Sequence, residues 1–462
     1  MRGNNVNRKH HVRALAGLAV MALVAASCGS DSDSSSDSDA PADTEAAVET
    51  TTADTEPADT EPADTEPSDT EPADTEPSDT TAPDGGVDFL ALPAPDGEPI
   101  IVGMVNTEGS PGLDFPEISA STQAAVDLLN EHGGLGGRPI VFEVCTAAGS
   151  PETSQACAQE LAGKDVEIVL LGLDLFPGYD TFTASDIPVT GVLPILPGDY
   201  TADALFLGGG NTTTTAAMAA FAQQNFDATT AGIVSADNAG ANGTEADLKK
   251  ALDAAGISYV SIKGGDNETD AGFQGLMAQA TADDPDVLFS LYADAGCIGT
   301  MRGRASLAIE TPVITTAICS SAEVIDVAGD DAEGWYFIGA QTERTGTPEA
   351  AVYDVLLESL GFTNTTELGL GALGVNGLMS LAAIANTVAA DGGEVTGASI
   401  YETLGASDGV VNWPEGNPFA CGAAEAYPTI CNFIFPIGTY LPETGIETVP
   451  GFEALDTTPF LP

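Results

Sequence analysis

Pro99-Ile-Ile-Val-Gly-Met-Val105 decides how the folded part of this chain is read. It is a short, wholly apolar run with β-branched residues, the pattern of a strand buried on both faces of a parallel sheet. A loop of Asn, Thr, Glu, Gly, Ser and Pro follows, then a helical stretch through Ala124, Ala125, Leu128 and Leu129. Gly133-Gly134 suits the left-handed close of that helix. The next strand is expected over 139–144, and Ser150-Pro151 supplies an N-cap and a first-turn proline for the next helix. Strands over 166–171 and 188–192 continue the series.

A second series of the same kind begins after Phe206-Leu-Gly-Gly-Gly-Asn211. Strands are expected near 230–234, 258–262, 287–291 and 313–316, with helices near 213–226, 243–255, 269–282 and 297–308 between them. Alternation of this kind builds parallel sheets covered by helices on both faces. After the strand at 335–339 the pattern turns helical, near 348–360, 370–390 and 397–404. The expectation is an α/β protein of two doubly wound parallel-sheet lobes joined by three crossovers. The first lobe takes 98–207 and 341–407; the second takes 208–340 and 408–462.

Asn130-Glu-His-Gly-Gly-Leu-Gly-Gly-Arg-Pro139, Val169-Leu-Leu-Gly172 and Ile187-Pro-Val-Thr190 occur in this order and spacing. Together they resemble segments of the type I periplasmic solute-binding proteins, in the branched-chain amino-acid-binding family that serves ABC importers. The resemblance covers about 100–400 and implies a fold of two lobes closing around a small ligand. In that family a hydroxyl and backbone N–H groups of the first lobe hold a ligand carboxylate, and an acidic residue of the second lobe takes the ammonium. Asp294 matches the acidic position, and Asp237-Asn238 match the loop that closes over the ligand.

In parallel sheets ligands gather beyond the carboxyl ends of the strands. The loops there offer Ser110 in Asn106–Phe115, then Asp174, Phe176 and Tyr179, then Thr190, Val192 and Leu193. The second lobe offers Asp237, Asn238, Tyr292 and Asp294. The chain departs from the family pattern in the first lobe. Leu173-Asp-Leu-Phe-Pro-Gly178 stands where a Ser-rich loop is expected, and Gly-Val-Leu follows Thr190. An apolar or aromatic acid, or an amide, fits Phe176, Tyr179, Val192 and Leu193 as well as a free amino acid does.

Upstream, Arg2, Arg8, Lys9 and Arg13 precede an uncharged run that ends at Ala25-Ala26-Ser27-Cys28. A basic start, a short apolar core, small residues and one cysteine make a bacterial lipoprotein export signal over 1–27. The run is too short to span a bilayer core, which needs about 20 residues. Diacylation of Cys28 would anchor the mature chain to the outer face of the cell membrane. Residues 28–97 are then expected to form a disordered tether. Ala/Ser-Asp-Thr-Glu-Pro repeats five times from Ala53 to Pro77; proline at every fifth residue forbids a helix, and unbroken negative charge extends the chain.

Setting Cys28 aside, the seven cysteines leave six, an even number for an oxidising compartment. Local disulfides are expected between Cys145 and Cys157, Cys297 and Cys319, and Cys421 and Cys431. No C-x-x-C occurs and His132 is the one histidine after the signal, so no metal site is expected. From residue 98 onward eight basic residues face forty-nine acidic ones, a net charge of −41. Such a surface repels nucleic acid and anionic lipid.

No nucleophile elbow and no phosphate-binding P-loop is present. Gly133–Gly137 follows a helix and precedes a strand, the reverse of a dinucleotide-binding turn. No enzyme and no cofactor is expected. The expected partners are a small organic solute and an ABC permease, with the protein a monomer. A surface sensor of the same fold, signalling to a kinase rather than feeding a permease, is the alternative. An extracellular hydrolase would need a histidine beside a nucleophile, and His132 stands alone.

Overall fold

The computed structural model describes residues 87–462, apart from 111–113 and 343–344. The export signal, Cys28 and the Asp-Thr-Glu-Pro repeats lie outside the described residues. The tether expected through residue 97 ends sooner. Phe89 is fully buried in the first lobe's core, and Val87, Leu90 and Leu92 pack against it. The apolar Val-Asp-Phe-Leu-Ala-Leu stretch has enough surface to bury, which the acidic repeats do not.

The first sheet is β1 (Ile100–Thr107), β2 (Ile140–Ala147), β3 (Ile168–Leu171), β4 (Val189–Gly191) and β5 (Leu205–Phe206) in the order β2-β1-β3-β4-β5. Every pairing in it is parallel. Successive residues of a strand point to opposite faces, and each face has its own core. Ile100, Val102, Met104, Ile168 and Leu170 meet α1 (Pro116–Glu131) and three helices from late in the chain. Val105, Val169, Leu171 and Val189 meet α2 (Pro151–Ala162) and α3 (Tyr179–Ala184).

The second sheet contains β6 (Thr230–Ala236), β7 (Ser258–Gly264), β8 (Val287–Leu291), β9 (Val313–Thr316) and β10 (Trp335–Ile338), all parallel. On one face lie α4 (Gly210–Phe226) and α5 (Ala239–Ala255); on the other lie α6 (Asp270–Ala280), α7 (Asp294–Ser306) and α8 (Ala322–Ala328). The late helices α9 (Pro348–Leu360), α10 (Gly371–Ala390) and α11 (Gly397–Ala406) return to the first lobe. Strand β11 (Ile434–Phe435) follows. Antiparallel β12 (Ile437–Leu441) and β13 (Gly445–Thr448) then extend the second sheet, and β14 (Leu455–Asp456) pairs with β11. The two doubly wound lobes expected from the alternation are therefore present.

The final crossing differs from expectation. It was placed at 408, yet Val410, Trp413, Phe419 and Cys431 lie in the first lobe's core. The segment covers the edge of the first sheet: the Phe206 N–H donates to the Thr429 carbonyl at 2.7 Å, and the Cys431 N–H to the Phe206 carbonyl at 2.9 Å. An uncovered edge strand invites stray pairing, and the three residues 429–431 close it. The crossing to the second lobe follows Cys431. All three disulfides join the cysteines paired above, and Cys421–Cys431 closes the edge-covering excursion.

Among the described residues, α10 is the helix long and apolar enough to cross a membrane by length and composition. It is instead the central helix of the first lobe. Gly371 and Gly374 let it approach α1, where a Cβ would come within 2.3 Å of Ser121 Oγ and 2.1 Å of Thr122 Oγ1.

The Gly133–Gly137 segment is a clasp at the amino ends of the strands. All four of its glycines have positive φ, from 57° to 90°, a conformation in which a side chain is strained. A Cβ on Gly134 would lie 2.1 Å from the Arg138 carbonyl oxygen. Arg138 then reaches Glu167 through both terminal nitrogens, at 2.9 and 2.6 Å. It also donates to the carbonyls of Glu98, Pro99 and Val395. The clasp ties together the starts of β1 and β3 and the loop before α11.

Candidate ligand-binding site

At the carboxyl end of β1, fully buried Asn106 organises the first-lobe loops. Its amide nitrogen donates to the Phe115 carbonyl at 2.8 Å and to Glu108 at 3.0 Å, and its oxygen accepts from the Leu173 N–H at 3.1 Å. The expected contact residues sit around this post in several different roles. Ser110 is half-buried beside the undescribed 111–113. Asp174 is 2 % exposed; its Oδ1 accepts from Ser154 Oγ at 2.5 Å and the Phe176 N–H at 3.2 Å. Its Oδ2 has no partner, and burial pushes its carboxyl above the usual range. Phe176 is half-buried.

Tyr179 donates to Asp199 at 2.8 Å, and the second Asp199 oxygen accepts the N–H groups of Ile195 and Leu196, both at 2.8 Å. Tyr179 thus fixes the loop after β4. Burial and the Asp199 charge drive its phenol far above the ordinary value. Thr190 is fully buried and donates to the Val169 carbonyl within the sheet, so its hydroxyl is engaged by the fold. Val192 belongs to the core and Leu193 packs against it.

In the second lobe, Asp237 and Asn238 follow β6. Asn238 caps α5 by accepting from the Ala241 N–H at 2.8 Å, and Asp237 is exposed near Asn242. Tyr292, after β8, is 5 % exposed and meets Phe273 edge-on at 5.5 Å. Its hydroxyl has no partner, and burial pushes it up to about 12. Asp294 opens α7 with φ 44° and is exposed. Strands β6 and β8 are neighbours, so these four residues share one rim of the second sheet.

A cavity of about 200 Å³ lies at the seam of the lobes. Every crossover contributes to it: Leu207 and Gly208 from the first, Gly339 from the second, and Asn432, Ile434, Phe435 and Pro436 from the third. Helix α10 adds Leu373, Asn376, Gly377 and Ser380, and the edge-covering segment adds Asn412, Trp413 and Glu415. Of the residues singled out from sequence, Val192 alone lines it. None of its described lining residues is Lys, Arg or His. A larger surface cavity, about 350 Å³, lies between α6 and α7 and touches none of the expected ligand residues.

Asn376 and Ser380 had a signal in the sequence. They stand four apart on a largely apolar helix, so they share one face of it. Asn376 accepts a 2.5 Å hydrogen bond from Tyr353, and Ser380 accepts from the Trp413 N–H at 2.9 Å. Asn412 and Trp413 had none, because their segment was assigned to the other lobe. No group of His, Cys, Asp and Glu among the described residues is arranged to hold a metal ion.

Two α/β lobes, with a small cavity at the seam built from every strand of chain that passes between them, are the build of a receptor that closes on a solute. The periplasmic binding protein family matches residues 99–420 in sequence, and the chain belongs to that family. Solved structures share the fold. One, from Rhodospirillum rubrum and described as a branched-chain amino acid ABC transporter, has a TM-score of 0.60 at 15% identity, covering 76% of this chain and 100% of its own. An ABC transporter substrate-binding protein from Sphaerobacter thermophilus has a TM-score of 0.58 at 18% identity, covering 78% and 99%. A solute-binding protein of an ABC transporter from R. palustris, solved with 4-hydroxybenzoate, has a TM-score of 0.53 at 15% identity, covering 79% and 98%. None of the curated proteins compared with the chain matches it in sequence.

Proposed function

We propose that this protein captures an amino acid or a similar small organic solute between its lobes and delivers it to an ABC permease. Cys28, diacylated after export, would hold it on the outer face of the membrane, with the acidic repeats as a spacer. The observation that carries the reading is the seam cavity, to which all three crossovers contribute. A guest there touches both lobes and the hinge at once. Closure is favoured only by contacts the ligand makes better in the closed state, and this placement supplies them. A micromolar dissociation constant needs about −8 kcal/mol, within reach of a buried apolar body and a few hydrogen bonds.

The departures at Leu173–Gly178 and after Thr190 favour a solute less polar than a free amino acid. The R. palustris relative solved with 4-hydroxybenzoate supports an aromatic compound as one such class. Native mass spectrometry of freshly exported protein, followed by small-angle scattering with the solute found, tests the proposal. A bound small molecule and a fall in radius of gyration on its addition are expected. Protein that carries no solute, and does not contract with any of a panel of amino acids and aromatic acids, would end it.

A further inference from the structure

Two tyrosines of the first lobe reach across the hinge edge to the second. Tyr200 stands ahead of the first crossover, in the short helix Pro197–Thr201. Its hydroxyl lies 3.0 Å from Thr212 Oγ1, in the first turn of α4 and beyond that crossover. Tyr427 stands in the edge-covering segment, ahead of the third crossover, and donates to the Pro462 carbonyl at 3.1 Å. Phe460, two residues before Pro462, packs on the core that α4 and α5 share. Each bond thus spans a passage between the lobes. The two rings meet edge-on, 5.3 Å apart at 81°, a favoured aromatic geometry that couples one bond to the other.

The rims are held differently. Asp237 and Asn238 bond to Asn242, Ala241 and Asp266, all in the second lobe. Asp174 and Tyr179 bond to Ser154, Phe176 and Asp199, all in the first. The seam cavity is lined by none of Asp237, Asn238, Tyr292 and Asp294. In this arrangement the tyrosines tie the lobes beside the crossovers, and these rim residues turn to their own lobe.

Burial raises both phenols above their ordinary value, so both hydroxyls keep their protons at neutral pH. A hydrogen bond weakens steeply as it is stretched or bent. Tyr200 and Tyr427 move with the first lobe, and Thr212 and Pro462 with the second. A change of lobe angle therefore strains both bonds together.

We infer that Tyr200 and Tyr427 form a hinge brace that favours the arrangement with the rims apart. The brace sets how much of a solute's binding energy goes into closing the lobes. This rests on the solute-capture reading above and adds a control on its closure. Contacts that differ between two states shift the balance between them, and these two bonds differ.

Pulsed electron spin resonance on the exported chain, dialysed free of solute, tests the brace. Spin labels at Asp180→Cys and Ala295→Cys, exposed positions in the first turns of α3 and α7, report the distance across the cleft. Tyr200→Phe with Tyr427→Phe keeps both rings and removes both hydroxyls. Loss of one ordinary hydrogen bond should raise the closed-to-open ratio about fivefold, and loss of both roughly twentyfold. A new population at shorter distance is expected. Thr183→Val removes a bond inside the first lobe, from Thr183 to Asp203 at 3.0 Å, and should leave the distances unchanged. Should the double variant fail to fold, judged by circular dichroism, Tyr427→Phe alone serves in its place. Unchanged distances in the tyrosine variant, a shift to longer ones, or the same shift in Thr183→Val overturns the inference. The solute-capture reading fails separately, through the absence of any co-purified solute or contraction.

Discussion

The two ends of the first lobe treat polar groups in opposite ways. At the amino ends of its strands, Arg138 has carbonyl or carboxylate partners on all three guanidinium nitrogens, and Gly133, Gly134 and Gly136 beside it leave no room for a side chain. At the carboxyl ends and the seam, Thr107 Oγ1, Asp174 Oδ2, Asn412 Oδ1 and the Trp413 indole N–H are buried without partners. The family motif that is easiest to recognise thus belongs to the satisfied end, where it fastens the sheet. Places where local rules are broken tend to be the functional ones.

That contrast can be broken at the clasp first. Gly134→Val puts a branched side chain at φ 59° against the Arg138 carbonyl, and should destabilise the protein by about 4 kcal/mol. Urea unfolding measures it; a loss below about 1 kcal/mol would mean the turn is not held as tightly as its geometry implies. Arg138→Leu comes next, at about 3 kcal/mol, a figure at the low end because its partner Glu167 is partly exposed. Neither change should alter which solute is preferred.

A smaller effect, of opposite sign, is expected from Asp174→Asn. Burial raises the folded-state pKa of Asp174, so ionised Asp174 opposes folding. That penalty is complete above the raised folded value, fades as pH falls through it, and is gone below the ordinary carboxyl value. The amide still offers an oxygen to Ser154. At neutral pH Asp174→Asn should therefore raise the melting temperature by roughly 2–4 °C, and the gain should shrink as the pH is lowered toward 4. A variant that is less stable at pH 7 would show that the charge is welcome there, and the contrast between the two ends would lose one member.

Much of the fold was legible because it depends on local pattern. The strands at β8 and β9, the helix start at Ser150-Pro151 and the three local disulfides follow from short-range signals that the tertiary structure leaves intact. The site was legible only in part. Thr190 reads as a ligand hydroxyl, but the pleat of β4 turns it to the Val169 carbonyl. Asn238 reads as a closing residue, and it caps α5. Short polar side chains at strand ends serve caps, loops and ligands alike, and the pattern around them is the same.

The amino-acid sequence by itself determined the alternation of strands and helices and the two lobes, and pointed to short-range pairing of the cysteines, since each depends largely on residues close together in the chain. The tertiary structure alone decided that residues 408–431 complete the first lobe, and that Asn376, Ser380, Asn412 and Trp413 share a cavity with Val192. Those residues lie far apart in sequence. They are brought together by the covering of one sheet edge and by three passages of the chain through one seam, and no local signal encodes that.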